Sequence, residues 1–129
     1  MQQCPCGSQK EYLNCCGLFI ESKQLPATPE ELMRSRYTAY TQMNADYILG
    51  TMKGPAADRM DEKGIRERAK KIKWTQLEVV ATQWDYSEKG FVEFRAFYSR
   101  NNKTYVLHEI SEFHYENGRW FYVDGKFQD

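Results

Sequence analysis

Apolar side chains recur at Leu32, Met33, Tyr37, Ala39, Tyr40 and Met43. At about 100° per residue these positions gather into one wide stripe, which predicts an amphipathic helix packed on a core. Thr28-Pro29-Glu30-Glu31 marks its start: a threonine suited to the N-cap, a proline suited to the first turn, and Glu31 to complete a capping box. Asn44 or Asp46 can cap a second, short helix through Tyr47 to Leu49 that ends at Gly50, so the two form a helical hairpin. Residues 59–73 place Ile65, Ala69 and Ile72 at helical spacing among seven basic side chains, predicting a basic amphipathic helix. From Trp74 onward the pattern changes to β-branched and aromatic runs at 74–86, 91–100, 103–115 and 119–124. Lys89-Gly90, Asn101-Asn102 and Asn117-Gly118 supply the reversals between them, so an antiparallel meander is expected. Runs this long point to a strongly curved sheet able to wrap around the helices.

Helices followed by a meander define an α+β class for residues 27–129. Strand alternation divides the sheet into two faces. Val92, Phe94, Ala96 and Tyr98, with Tyr105, Leu107, Glu109, Ser111 and Phe113, are assigned to the core. The outer face then carries Trp84, Phe91, Phe97, Val106 and Ile110, a patch that predicts a homodimer surface, together with His108 and His114. Two charges fall on the apolar side. Arg36 lies about 40° around the helix from Leu32, between Met43 and Tyr40, and Glu109 lies between Leu107 and Ser111. An unpaired buried charge loses several kcal/mol of hydration, so Arg36 and Glu109 are expected to form a buried ion pair. Ser111 or Tyr40 would satisfy a remaining carboxylate lone pair. Arg36, Tyr40, Glu109 and Ser111 are thus the candidate pocket residues.

Composition narrows the classes. The 129 residues carry 18 basic and 18 acidic side chains, so no global field draws the protein to nucleic acid or an anionic membrane. No apolar stretch approaches the roughly 20 residues of a membrane-spanning helix, and no secretory leader is visible, so a cytoplasmic, reducing location is expected. There, four cysteines within the first sixteen residues read as metal ligands rather than disulfides. Cys4-Pro5-Cys6-Gly7-Ser8 and Cys15-Cys16-Gly17 present two close pairs across a short loop, the donor set and spacing of a tetrahedral zinc site. Gly7 and Gly17 are placed to relax the backbone, and Lys10 to offset part of the thiolate charge. Four protein ligands leave no open position, so the expected zinc, one per chain, is structural.

Cys-Pro-Cys-Gly-Ser followed by Cys-Cys-Gly resembles the SEC-C motif found at the tip of the SecA translocase, with Gln9 standing where glycine often follows the serine. The resemblance implies a knuckle over residues 1–20 that docks a partner protein, or nucleic acid. The order of elements resembles the cone-shaped fold named after nuclear transport factor two. Met33-Arg34-Ser35-Arg36-Tyr37-Thr38-Ala39-Tyr40, Phe91-Val92-Glu93-Phe94, Glu109-X-Ser111-X-Phe113 and Gly118-Arg119-Trp120-Phe121-Tyr122-Val123-Asp124-Gly125 resemble the bacterial YchJ-like family, which joins such a knuckle to such a cone. Many of its members end with a second knuckle, and the 129 residues hold one.

The cone fold hosts isomerases and dehydratases as well as binding domains, so the site has to decide. The leading expectation is a non-catalytic interaction protein whose knuckle docks a partner. The alternative is a small-molecule acid–base enzyme using Glu109 and Tyr40. Zinc storage is a third reading, opposed by the closed ligand set. A deep, well-formed cavity with Glu109 unpaired by Arg36 would favour the enzyme, and a filled cone would favour binding.

Overall fold

A computed structural model describes residues 2–128; Met1 and Asp129, the outer bounds of the two expected units, lie outside them. A 3-10 turn at Tyr12–Asn14 leads into the short helix α1 (Cys16–Ile20), followed by α2 (Pro29–Thr41), α3 (Ala45–Gly50), α4 (Gly54–Asp58) and α5 (Glu62–Ala69). Four strands complete the chain: β1 (Lys73–Gln83), β2 (Lys89–Arg100), β3 (Lys103–Glu116) and β4 (Arg119–Phe127). They pair antiparallel in the order β1-β2-β3-β4, the meander read from the sequence.

The helix α2 begins where its capping residues place it. Thr28 accepts a hydrogen bond from the Glu31 backbone N–H at 3.1 Å, and the Glu31 carboxylate reaches back to the Ala27 N–H at 2.7 Å. Asn44, rather than Asp46, caps α3 by accepting from the Tyr47 N–H at 3.0 Å. The expected basic helix over 59–73 is shorter: α5 holds only Glu62–Ala69, with Asp61 as its cap. Ahead of it Gly54 turns the chain at positive φ and Pro55 opens the separate helix α4, leaving Arg59 between the two. Lys73 already belongs to β1.

Two hairpins turn on residues with positive φ, Asn101-Asn102 and Asn117-Gly118, as expected. The β1–β2 reversal is displaced to Asp85–Glu88, where Tyr86 takes positive φ and Asp85 accepts from the Ser87 N–H. Gly90 lies within β2 instead, because the Pro29 ring packs on its backbone; a Cβ there would sit 2.6 Å from Pro29 Cγ.

The alternation of β2 and β3 holds except at the end of the hairpin, where Tyr105, expected in the core, is exposed and stacks on Tyr98 at 5.4 Å. Val92, Phe94, Ala96, Glu109, Ser111 and Phe113 are buried facing the helices, while Val106 is exposed and Phe91, Phe97 and Ile110 are half-buried. Trp84 is the exception. A register shift between Val79 and Ala81 puts Thr82 opposite the buried Val92, so Trp84 follows on the core side. There it meets Trp120 edge to face at 5.5 Å. The outer patch therefore consists of Phe91, Phe97, Val106 and Ile110, without Trp84.

Candidate functional site

The four cysteines come together at the N-terminal end of the molecule. A bridge between Gln3 and Glu11 closes the loop, and the Cys4 N–H donates to Lys10 O at 2.8 Å. All four are free thiols, and their Sγ atoms lie within 4.8 Å of one another, with Cys6 and Cys15 at 3.7 Å. Metal–sulfur bonds of about 2.3 Å in a tetrahedron require edges of about 3.8 Å, so the donor set fits one ion. Cys4, Cys6 and Cys16 are buried and Cys15 is half-buried. Hydrogen bonds from the Cys16 and Cys4 thiols hold the Cys6 thiol well below its ordinary range.

Outer contacts orient these ligands and tie them to α2. Ser8 Oγ sits 3.1 Å from Cys15 Sγ, and Thr38 Oγ1 3.7 Å from Cys4 Sγ. Arg34 Nη1 donates to Cys6 O at 2.8 Å and lies 3.8 Å from its sulfur, a cation placed against thiolate charge. Gln42 adds a hydrogen bond to the Tyr12 hydroxyl at 2.8 Å. Gly7 takes positive φ, the conformation the motif needs. Gly17 serves differently: a Cβ there would lie 2.8 Å from Tyr12 O, so its role is close packing rather than backbone freedom.

The opposite side of α2 looks into a partly open cavity of about 850 Å³ bordered by the sheet, α4 and α5. Met33, Trp74, Phe94, Leu107 and Phe113 supply apolar walls, and all four candidate pocket residues, Arg36, Tyr40, Glu109 and Ser111, line it. The expected ion pair is not formed. Arg36 Nη1 instead donates to Ile48 O at 2.7 Å and Thr51 Oγ1 at 2.6 Å, and the guanidinium lies over the Tyr122 ring with Cζ 4.7 Å from its centroid. Glu109 Oε2 accepts from the Ser111 hydroxyl and, at 3.1 Å, from the Tyr122 hydroxyl. Tyr122 thus stands between the two charges. Tyr40 does not reach Glu109: its hydroxyl points to Met60 Sδ at 3.9 Å and its ring meets Trp74.

Tyr122 and Gly125 complete the site and were not singled out from the sequence. Trp120-Phe121-Tyr122-Val123 offers no polar alternation to fix its faces, and a register shift between Glu112 and Phe113 sets Tyr122 opposite Phe113. Residues after α3 then clamp it, the Tyr122 N–H donating to Thr51 O at 2.9 Å and the Lys53 N–H to Tyr122 O at 3.0 Å. Gly125 is a close approach: a Cβ there would overlap the Glu109 carboxylate and the Tyr122 hydroxyl. Burial, then the Glu109 charge, pushes the Tyr122 phenol above its ordinary range, so it remains a donor at neutral pH. Burial pushes the Arg36 guanidinium down, against the pull of the nearby tyrosines and Glu109. The histidines stand outside this site, His108 bonded to Glu93 and His114 to Glu112, each at 2.6 Å.

Comparison with known proteins agrees with this architecture. The profile described as YchJ, middle NTF2-like domain, matches residues 28–125. A UPF0225 protein of Vibrio vulnificus (strain YJ016) is 38% identical over 127 residues, covering 98% of this chain and 75% of its own. One from Shewanella sp. (strain MR-4) is 40% identical over 132 residues, covering 96% of this chain and 80% of its own. The solution structure of a SEC-C motif containing protein from Rhodopseudomonas palustris superposes with a TM-score of 0.90 at 35% identity, covering 99% of this chain and 100% of that one. A crystal structure of a SEC-C motif containing protein from Psychrobacter arcticus gives 0.81 at 28% identity, covering 100% and 84%. The chain belongs to the YchJ family of NTF2-like domains, with a SEC-C-type four-cysteine cluster ahead of the cone.

Proposed function

We propose that this is a zinc-stabilised small-molecule-binding protein in which the cone receives an organic ligand and the knuckle braces the helix that lines it. The observation that carries this reading is the cavity of about 850 Å³, mostly apolar in its walls with a few convergent polar groups. Its size falls in the range of ligand sites, and a filled cone would have left no such space. Zinc is the metal that four thiolates on two close pairs select, and the closed ligand set gives it a structural role. In this reading the knuckle over 1–20 and the cone over 27–129 act together, which the packing of Cys4, Cys6 and Cys16 in one core with α2 supports. Among the described residues no helix is long and apolar enough to cross a membrane, and the four free thiols fit a reducing cytoplasm.

The acid–base enzyme keeps its residues but gains no complete constellation, since Tyr40 is turned away from Glu109 and Tyr122 is held as a donor. Binding is therefore the reading adopted. The test is a fragment screen followed in ¹H–¹⁵N spectra of the zinc-loaded protein. Shifts concentrated at Arg36, Phe94, Leu107 and Tyr122 are expected, and they should vanish when Ala96→Phe fills the cavity. A screen that moves only surface residues would sink the proposal.

Docking of a partner protein through the knuckle is a second reading, favoured by Leu13, which is 62% exposed on the 3-10 turn. Leu13→Glu should abolish such docking without releasing zinc; nucleic acid as the partner has no comparable support. Self-association through Phe91, Phe97, Val106 and Ile110 is a separate proposal, and light scattering at high micromolar concentration decides it, with Val106→Glu as the control.

A further inference from the structure

Arg36 is the most conspicuous unfinished group in the molecule. It is 6% exposed, yet no carboxylate forms an ion pair with it among the described residues. Burying a lone charge costs several kcal/mol unless hydrogen bonds and a counter-charge offset it. Two bonds from Nη1 and the face of Tyr122 supply only the first part of that compensation. The remaining donors, Nε–H and Nη2–H, have no acceptor among the described residues. Neither is sealed, because the only buried side-chain nitrogen or oxygen without a partner among the described residues is Arg119 Nε. Arg36 lines the cavity, so these donors open onto it. They form the side-on fork of a guanidinium, which meets a carboxylate in two parallel hydrogen bonds.

We infer that the cavity binds an organic carboxylate, with its anion on the free edge of Arg36 and an apolar body against Trp74, Phe94, Leu107 and Phe113. Resting on the small-molecule reading above, this names the ligand's chemical class. One fork and apolar walls match a singly charged carboxylate; a phosphate dianion would call for further cations, and among the described residues Arg36 is the one cation of the cavity's interior. At the mouth Arg59 is paired with Asp124 at 2.8 Å, whereas Arg68, also lining the cavity, has no ion pair among the described residues and favours entry of an anion. The second polar group of the interior is complementary in sign. Glu109 uses Oε2 for Ser111 and Tyr122 and leaves Oε1 for a donor on the ligand, so a hydroxyl at the end remote from the carboxylate is recognised as well. Tyr122 sets the spacing between the two, its ring under the guanidinium and its hydroxyl on the carboxylate.

Calorimetry on the zinc-loaded protein tests this with three probes: 4-hydroxyphenylacetate, its neutral amide, and 4-hydroxyphenyl phosphate. A bidentate charged pair predicts that the carboxylate binds about tenfold or more tighter than the amide, and tighter than the phosphate. In Arg36→Met the carboxylate-to-amide ratio should fall to about one. Arg36→Gln, which retains N–H donors for Ile48 O and Thr51, should give the same ratio and guards against a variant that fails to fold. A merely structural arginine would change both affinities together. Equal binding of carboxylate and amide by the wild-type protein would overturn the inference while leaving a small-molecule cavity standing. Tighter binding of the phosphate would overturn the assigned class. Failure of all three probes to bind would count against both the inference and the reading beneath it.

Discussion

The two sides of α2 solve the same problem in opposite ways. Toward the N-terminal segment, Thr38 and Arg34 meet the Cys4 and Cys6 sulfurs of a four-thiol cluster whose geometry can close around one ion, and Gln42 bonds the Tyr12 hydroxyl. Toward the sheet, Met33, Arg36 and Tyr40 meet a space that protein atoms do not fill. Four thiols in this geometry can hold one metal ion, which would neutralise and fix them. The Arg36 fork meets no anion among the described residues, even though Glu109 is near enough to share Tyr122 with it. A closed polar cluster builds structure, whereas an open one leaves binding capacity.

The comparison can be broken most severely at the metal. Structural zinc sites of this kind contribute roughly 10 kcal/mol or more of binding free energy at neutral pH. Chelation, or Cys16→Ala, should therefore release the knuckle. Because three of the cysteines share a core with α2, the effect should extend beyond it. Hydrogen exchange is expected to show protection lost over residues 2–20 and reduced in α2 from Arg34 to its C-terminal end, while β2 and β3 stay protected. Protection unchanged in α2 would mean that the knuckle is an appendage and not a brace.

Next in size is the cavity floor. Gly125→Ala drives a methyl into the Glu109 carboxylate and the Tyr122 hydroxyl, and overpacking of this kind costs about 1–3 kcal/mol. Denaturant melts of Gly125→Ala, Glu109→Ala and the double variant should show the double costing about 1 kcal/mol less than the sum, since removal of the carboxylate relieves much of the clash. Strict additivity would place the two residues apart.

What was legible in the sequence follows from how local each feature is. The four cysteines lie within thirteen positions and their ligand spacing is written in the chain; the caps of α2 and the Asn-Asn and Asn-Gly hairpins are equally short-range. Arg36, Tyr40, Glu109 and Ser111 were also legible as residues facing the core, because helix angle and strand parity fix direction. Their partners were not. Which acceptor Arg36 finds depends on where α3 ends and on Thr51, and the position of Tyr122 depends on a register shift in β3–β4 that alternation cannot foresee. Trp84 was misplaced for the same reason, by a shift in β1. Gly90 read as a turn although it is a packing site for Pro29, since glycine signals both conformational freedom and close approach.

Smaller perturbations sharpen the metal side. Thr38→Val removes the hydroxyl beside Cys4 with little change of shape, and loss of this bond should cost about 1 kcal/mol and speed zinc transfer to a chelator. Gln9, at φ 70°, occupies the left-handed region where a side chain is strained. Gln9→Gly should be neutral to stabilising, by up to about 1 kcal/mol in thermal melts of the zinc-loaded protein.

The most direct test is a crystal structure of the zinc-loaded protein grown with 4-hydroxyphenylacetate. The account predicts the probe inside the cone, its carboxylate on Nε and Nη2 of Arg36 and its hydroxyl toward Glu109 Oε1, with Tyr122 still between the two charges. A cavity closed by side chains, with Arg36 swung onto Glu109 in a direct ion pair and the probe absent, would contradict it.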